Sequence, residues 1–137
     1  MHLTHQGLLR SLRAVSQVAL GVVLISAGVS HLTVSRAEFQ AQVPTWLPLD
    51  PDFVVVSSGI VEILLGLALL TLWPLRKRVG LVTALFFVAI FPGNINQLVN
   101  GIDAFGLNSD SARATRLLFQ PVLVLWALWS TGALRRP

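Results

Sequence analysis

The chain has 137 residues, of which 54% are hydrophobic and 12% are charged, and its mean hydropathy is +0.73. A soluble domain carries about 25% charged residues, so the composition favours an integral membrane protein. The net charge is +4, but the basic residues stand at the ends of apolar stretches and are not interleaved with aromatic residues. This pattern argues against nucleic acid as a partner. The lack of cysteine excludes disulfides and thiolate ligation of zinc or iron–sulfur clusters.

Four apolar stretches are long enough to cross a bilayer, which takes about 20 residues. They cover roughly residues 14–32, 53–73, 79–99 and 116–134. Because the connections are short, we expect an all-α fold, a transmembrane four-helix bundle in which residues 1–137 form a single integral membrane domain. We also expect the first span to be retained and not cleaved as a signal peptide, since three more spans follow it.

The distribution of Lys and Arg predicts the orientation of this bundle. One end of the bundle holds seven of these bases and the other end holds three, so both termini should be cytoplasmic. The connections 33–52 and 100–115 should then face outward. In the first of them, Trp46 fits either a tether with an interfacial anchor or a lid over the outer mouth of the bundle. In the second, Ser109 or Asp110 fits the N-cap of the fourth helix.

The second span, "SSGIVEILLGLALLTLW", carries one carboxylate, Glu62, near the middle of the bilayer. An isolated charge at that depth is costly, so Glu62 should face the bundle interior. There it is protonated, or it is paired with a cation or with several hydrogen-bond donors.

Other polar residues gather in the same outer half of the predicted spans. His31 ends the first span, the motif "FPGNINQLVNG" makes the outer end of the third span polar, and Arg113, Arg116 and Gln120 form one stripe on the fourth. The inner half reads as plain Leu, Val, Ala and Gly. This asymmetry predicts a polar pocket in the outer half with Glu62 at its floor and Arg116 or His31 as counter-charge. The predicted pocket residues are His31, Glu62, Asn94, Asn96, Gln97, Arg116 and Gln120.

Structural interpretations of these residues stay open. Glu62 fits a ligand or proton site, and it also fits an internal hydrogen bond between helices. His31 fits an interfacial histidine, and Arg116 alone fits a cation that extends to the membrane surface. A metal site finds little support because no paired ligand spacing exists. The glycine pairs Gly21/Gly28 and Gly59/Gly66 are each seven residues apart, which predicts close contact between helices.

The motifs "SAGVSHL", "PTWLP", "GIVEILLGLALL", "FPGNINQLVNG" and "RLLFQPVLVLWALW" resemble the DoxX family of small four-helix bacterial membrane proteins. The resemblance covers about residues 20–131. Many relatives have His where Asn96 or Gln97 stands here, so a metal or haem role that needs such a histidine is not carried over. The resemblance implies a multi-pass protein of the bacterial cytoplasmic membrane and an association with quinone-linked redox systems.

These observations lead to two main functional hypotheses. In the first, the pocket binds a small amphipathic, quinone-like ligand, and the protein is an accessory to a membrane redox system. In the alternative, it is a structural or assembly subunit of a larger membrane complex. Its partners would be the lipid bilayer, with redox-complex subunits or a second copy of the chain as further candidates. No redox cofactor is encoded by a motif, although a quinone fits the pocket. A proton or solute pathway is less favoured, because the inner half offers no polar relay. A self-contained enzyme is also less favoured, because there is no nucleophile–base pair and no carboxylate pair.

Overall fold

The structure is a computed structural model, and it describes residues 5–33, 37, 40, 43–100 and 109–134. All regular secondary structure within these residues is helical, as the composition predicts. The elements are α1 (His5–Leu32), α2 (Pro51–Thr71), a 3-10 turn (Trp73–Leu75), α3 (Arg76–Ala89), α4 (Phe91–Val99) and α5 (Asp110–Ser130).

Local sequence signals start two of the helices. Asp50 caps α2 by accepting a hydrogen bond from the Asp52 backbone N–H, and Pro51 takes the first helical position. Ser109 caps α5, because its hydroxyl accepts a hydrogen bond from the Ala112 backbone N–H at 3.1 Å. Of the two residues that the sequence offered as this cap, the structure selects Ser109.

The third predicted span, 79–99, is interrupted at Ile90, which separates α3 from α4. Pro92 has no N–H to donate to the carbonyl of Val88, four residues earlier, so the α-helical ladder breaks there. The interruption is one residue long, and Ile90 keeps φ −88° and ψ −4°. The two segments therefore form one helical run, and the fold has four such runs within the described residues.

Three of the four runs are long and apolar enough to cross a membrane, namely His5–Leu32, Pro51–Thr71 and Trp73–Val99. The helix that contains the first predicted span begins at His5, before the predicted start of the span at residue 14. Helix α5 has 21 residues but is not among the three. Its outer part carries Arg113, Arg116 and Gln120, which lower its hydropathy. A fourth membrane crossing remains a prediction from sequence.

Helices α1 and α2 pack against each other through their glycines. A Cβ atom added to Gly28 would lie 2.6 Å from the Gly59 carbonyl oxygen, and one added to Gly66 would lie 2.7 Å from the Gly21 carbonyl oxygen. The pairing of 21 with 66 and of 28 with 59 makes the two helices antiparallel. The predicted close contact at these glycines is confirmed.

Helix α5 runs antiparallel to both α3 and α1. It meets α3 at Gly80, where an added Cβ would collide with the Thr131 side chain. It meets α1 where Trp126 donates a hydrogen bond to the Ser16 carbonyl and where the Arg13 guanidinium lies 5.4 Å from the centre of the Trp129 ring. The start of α1, the 3-10 turn and the end of α5 therefore share one end of the bundle, which we call the inner end.

An apolar core joins the four runs across the inner half. It consists of Leu20, Leu24, Leu65, Leu69, Val79, Ala84, Phe87 and Ala127, each buried. The prediction that polar side chains are missing from the inner half is wrong. Gln17, Thr83, Ser130 and Thr131 are fully buried there. Three of them are accommodated because they bond to backbone carbonyls: Gln17 donates to Leu69 at 2.7 Å, Thr83 to Val79 and Thr131 to Ala127.

The bundle opens toward its outer end. No Cα atom of α4 lies within 8 Å of a Cα atom of α1 or α2, although α4 is that close to α3 and α5. The contacts of α1 with α5 at Ser16 and Arg13 lie near the inner end. The α1–α2 pair and the α4–α5 pair thus diverge outward and leave a wedge of space between them.

Candidate functional site

A cavity of about 510 Å³ fills this wedge, and we call it the outer cavity. Residues from all four helical runs and from the segment 43–47 line it. Most of the wall is apolar, with Leu24, Val55 and Leu123 as examples. Its charged and polar side chains are His31, Ser58, Glu62 and Arg116. The outer half of the bundle therefore contains a mainly apolar pocket with a few polar groups, which is the usual composition of a small-molecule site.

Glu62 and His31 form the polar floor of the outer cavity. The Nδ1 atom of His31 lies 3.1 Å from Oε2 of Glu62 and 2.9 Å from the carbonyl oxygen of Ala27. Because a carbonyl oxygen only accepts, this geometry places a proton on Nδ1 and directs it to Ala27. Oε2 of Glu62 is then at ion-pair distance from the imidazole, but it is buried and accepts no hydrogen bond from the described residues. The sequence proposed His31 or Arg116 as counter-charge, and of these two His31 is the one that lies within ion-pair distance of Glu62.

Both side chains reach this position through helix spacing. Gly59 lies three residues before Glu62, and a Cβ at Gly59 would be 2.8 Å from the His31 Cβ. The close approach of α1 and α2 at this glycine brings the histidine to the carboxylate. His31 and Glu62 are 7% and 4% exposed, so the pair is shielded by protein on most sides. In an environment that is shielded from water in this way, an unpaired charge is energetically costly.

Arg116 lines the opposite side of the outer cavity. Its Nη1 donates to Oε1 of Gln120 at 3.3 Å, and Gln120 in turn donates to the carbonyl of Phe87 at 2.6 Å. This chain of hydrogen bonds ties the guanidinium on α5 to α3. Arg116 and Glu62 are not within the 4.0 Å of an ion pair, although their charges interact at longer range. The guanidinium therefore remains a donor group at the cavity wall.

Three further predicted site residues, Asn96, Gln97 and Gln120, are not among the described residues that line the outer cavity. Asn96 and Gln97 are buried on α4, which has close Cα neighbours in α3 and α5 and none in α2. Asn96 accepts a hydrogen bond from the Asn100 side chain. Gln120 is buried behind Arg116. The side chain of Asn94 lies outside the described part of the structure.

Sequence reasoning missed Ser58 as a contributor to the cavity, and it raised the connection that contains residues 43–47 as one of two interpretations. Ser58 lies one helical turn before Glu62 on the same face, so the spacing of four residues was a usable signal. The segment 43–47 contributes Pro44, Trp46 and Leu47 to the wall, in agreement with the lid interpretation of this connection. A hydrogen bond from Gln40 to Asp52 at 2.7 Å links the start of the segment to the first turn of α2.

The donor set does not fit a metal centre. No group of three His, Cys, Asp or Glu side chains that could hold a metal ion exists among the described residues. The outer cavity instead offers one carboxylate that accepts, one guanidinium that donates and a large apolar wall. This arrangement suits an uncharged amphipathic molecule whose polar groups meet Glu62 and Arg116.

Comparison with known proteins finds no match among curated proteins and none among solved structures. The resemblance to the DoxX family is not tested by these comparisons and stays a prediction. A family model described as a domain of unknown function, DUF8561, matches residues 20–131. Since this match covers more than half of the chain, the protein belongs to the DUF8561 family.

Proposed function

We propose that the protein binds a small amphipathic, quinone-like ligand in the outer cavity and serves as an accessory to a membrane redox system. In this proposal the chain is a multi-pass protein of the bacterial cytoplasmic membrane with four crossings and both termini in the cytoplasm. The observation that carries the ligand proposal is the carboxylate–imidazole pair at the floor of a largely apolar cavity. A helix bundle with a purely structural role does not require a cavity of this size beside a buried carboxyl group.

The size of the outer cavity supports a ligand of this kind. Its volume of about 510 Å³ falls within the range of roughly 300–1,000 Å³ that is typical of small-molecule sites. A substituted aromatic ring with a short piece of hydrocarbon tail fits this space. The ring oxygens would face Glu62 and Arg116, and the tail would lie along Leu24, Val55 and Leu123.

The surroundings of the cavity support entry from the lipid. Val23 contributes to the cavity wall, yet 45% of its surface is exposed on α1. In a membrane-spanning helix such an exposed valine faces acyl chains. A hydrophobic ligand dissolved in the bilayer would therefore reach the cavity sideways, between the diverging helix pairs.

The competing hypotheses receive less support. The glycine stripes, which the assembly hypothesis offered to neighbouring subunits, are used inside the protein at the α1–α2 contact. For a proton pathway, the apolar core lies between Glu62 and the inner polar residues. Glu62 and Leu69, whose carbonyl accepts the hydrogen bond from Gln17, are seven residues apart on α2, which is about 10 Å, and the buried residue Leu65 lies between them.

Native mass spectrometry of the mildly solubilised protein tests the proposal. We expect a bound small molecule in the wild type and its loss in Glu62→Gln, with retention in Ser58→Ala as a matched cavity control. Detection of copurifying protein subunits without a small molecule would contradict the proposal and favour the assembly function. Thermal unfolding of each variant should show that the bundle is intact.

A further inference from the structure

We infer that the outer cavity selects a ligand whose ring carries a free hydroxyl group, as in a hydroquinone, over the matching quinone, because that hydroxyl donates to Glu62. This inference rests on the proposed function and specifies the ligand class that the same site takes. The feature behind it is a shortage of donors around the buried carboxylate.

One oxygen of Glu62, Oε2, accepts no well-aligned hydrogen bond from the described residues, although His31 Nδ1 lies 3.1 Å from it. A carboxylate has about four lone-pair sites, yet buried Oε2 accepts no hydrogen bond from the part of the chain that the structure describes. Glu62 also lines the outer cavity. The terminal torsion of a glutamate is broad and roughly two-fold, so a small rotation turns either oxygen toward a bound molecule.

The nearest protein donors already serve other acceptors. The proton on Nδ1 of His31 is directed to the Ala27 carbonyl at 2.9 Å. The hydroxyl of Ser58 donates to the Val55 carbonyl at 3.0 Å. Arg116 donates to Gln120 and makes no ion pair with Glu62. None of these three donors is directed to Oε2 of Glu62, so a hydroxyl group of a molecule in the cavity would supply the hydrogen bond that this oxygen lacks among the described residues.

The oxidised and reduced forms of a quinone differ in whether they can donate a hydrogen bond to Glu62. Quinone oxygens only accept hydrogen bonds, so a quinone oxygen beside Glu62 would face another acceptor. A hydroquinone hydroxyl donates to the carboxylate, and the second oxygen of the ring accepts from Arg116. A buried polar group that loses its partner discriminates strongly between otherwise similar ligands. A hydrogen bond to a charged group corresponds to an affinity ratio of about 10–100-fold.

Three probes with one carbon skeleton test the inference: a decyl-substituted hydroquinone, the benzoquinone formed by its oxidation, and the dimethyl ether of the hydroquinone. Binding is measured without oxygen in mild detergent by isothermal titration calorimetry. Quenching of tryptophan fluorescence provides a second readout, because Trp46 lines the cavity. We expect the hydroquinone to bind the wild type at least about 10-fold more tightly than the quinone or the ether.

Two variants assign this preference to Glu62. In Glu62→Gln, the affinities for the hydroquinone and the quinone should differ by no more than about 3-fold, because an amide presents a donor as well as an acceptor. Thr71→Val should keep the wild-type ratio, because Thr71 is exposed on α2 and does not line the outer cavity. Circular dichroism of each variant checks the fold, and the wild-type comparison of the three probes stands on its own if a variant fails to fold.

The outcomes separate this inference from the proposed function. Equal or tighter binding of the quinone or the ether by the wild type would overturn the hydroxyl preference while leaving a ligand site in place. A preference that survives unchanged in folded Glu62→Gln would overturn its assignment to Glu62. Failure of the wild type to bind any of the three probes would overturn the quinone-like ligand itself.

Discussion

Replacing Gly28 by alanine should separate α1 from α2 and destabilise the bundle. A Cβ at position 28 would lie 2.6 Å from the Gly59 carbonyl oxygen and 2.6 Å from Cγ1 of Ile63. Ordinary contact begins at 3.4 Å, so the two helices must move apart by about 0.8 Å, the difference between these distances. The backbone carbonyl has no rotamer to change, and the rigid helices must absorb the shift.

The expected cost is about 1–3 kcal/mol, the range for overpacking a close contact. The higher helix propensity of alanine offsets this by about 1 kcal/mol at most. Gly21→Ala should cost less, because its nearest atoms are 3.0 Å away and two of the three belong to the flexible Leu70 side chain. Val29→Ala is the control, since Val29 is 47% exposed on the opposite face of α1.

Reversible unfolding in mixed micelles with increasing sodium dodecyl sulfate, followed by circular dichroism, gives the free energy of unfolding of each variant. The free energy of unfolding should fall most in Gly28→Ala, less in Gly21→Ala and almost not at all in Val29→Ala. A Gly28→Ala protein as stable as the wild type, or a larger loss at Gly21, would refute the view that backbone contact at Gly28 sets the α1–α2 distance.

Three further predictions concern the inner half, a helix cap and the membrane orientation. Gln17→Glu should destabilise the protein more than Gln17→Met. Both substitutions remove the donor to Leu69, which costs about 1–3 kcal/mol, but the glutamate also buries a charge. Equal stability of the two variants in the same unfolding assay would contradict this. Ser109→Ala should lower the free energy of unfolding by about 0.5–2 kcal/mol through loss of the cap, and it should speed hydrogen exchange at the Ala112 amide. The exposed control Ser111→Ala should change neither quantity. Unchanged exchange at Ala112 in Ser109→Ala would argue against the cap. In intact cells, a cysteine at Leu49 should react with an impermeant thiol reagent and one at Lys77 should not, and the reverse pattern would invert the proposed topology.

The helical segments follow from local sequence, and most of them could be predicted. Apolar stretches of about 20 residues force a helix in a bilayer, because every backbone polar group must be satisfied within the segment. The start of α5 at Ser109 follows from its capping hydroxyl. The interruption at Ile90 was not predicted, although Pro92 was a usable signal for it.

The buried polar residues of the inner half could not be identified with the same method. Gln17 lies in a stretch that reads as apolar, and nothing local shows that it faces α2. Its burial is possible because the carbonyl of Leu69 lies 2.7 Å away. That acceptor is 52 residues distant in the chain, so only the tertiary contact shows that the position is satisfied.

By itself, the sequence determined that this is a helical protein with segments long and apolar enough to cross a membrane and with an acidic residue inside the second of them, because composition and segment length are properties of the chain alone. Only the tertiary structure decided which polar residues meet. The α1–α2 glycine contact brings His31 to Glu62, and the outward divergence of the helix pairs opens the cavity beside them. The same divergence leaves Asn96 and Gln97 on α4 away from that cavity, since residues that share a depth in the membrane still face different neighbours.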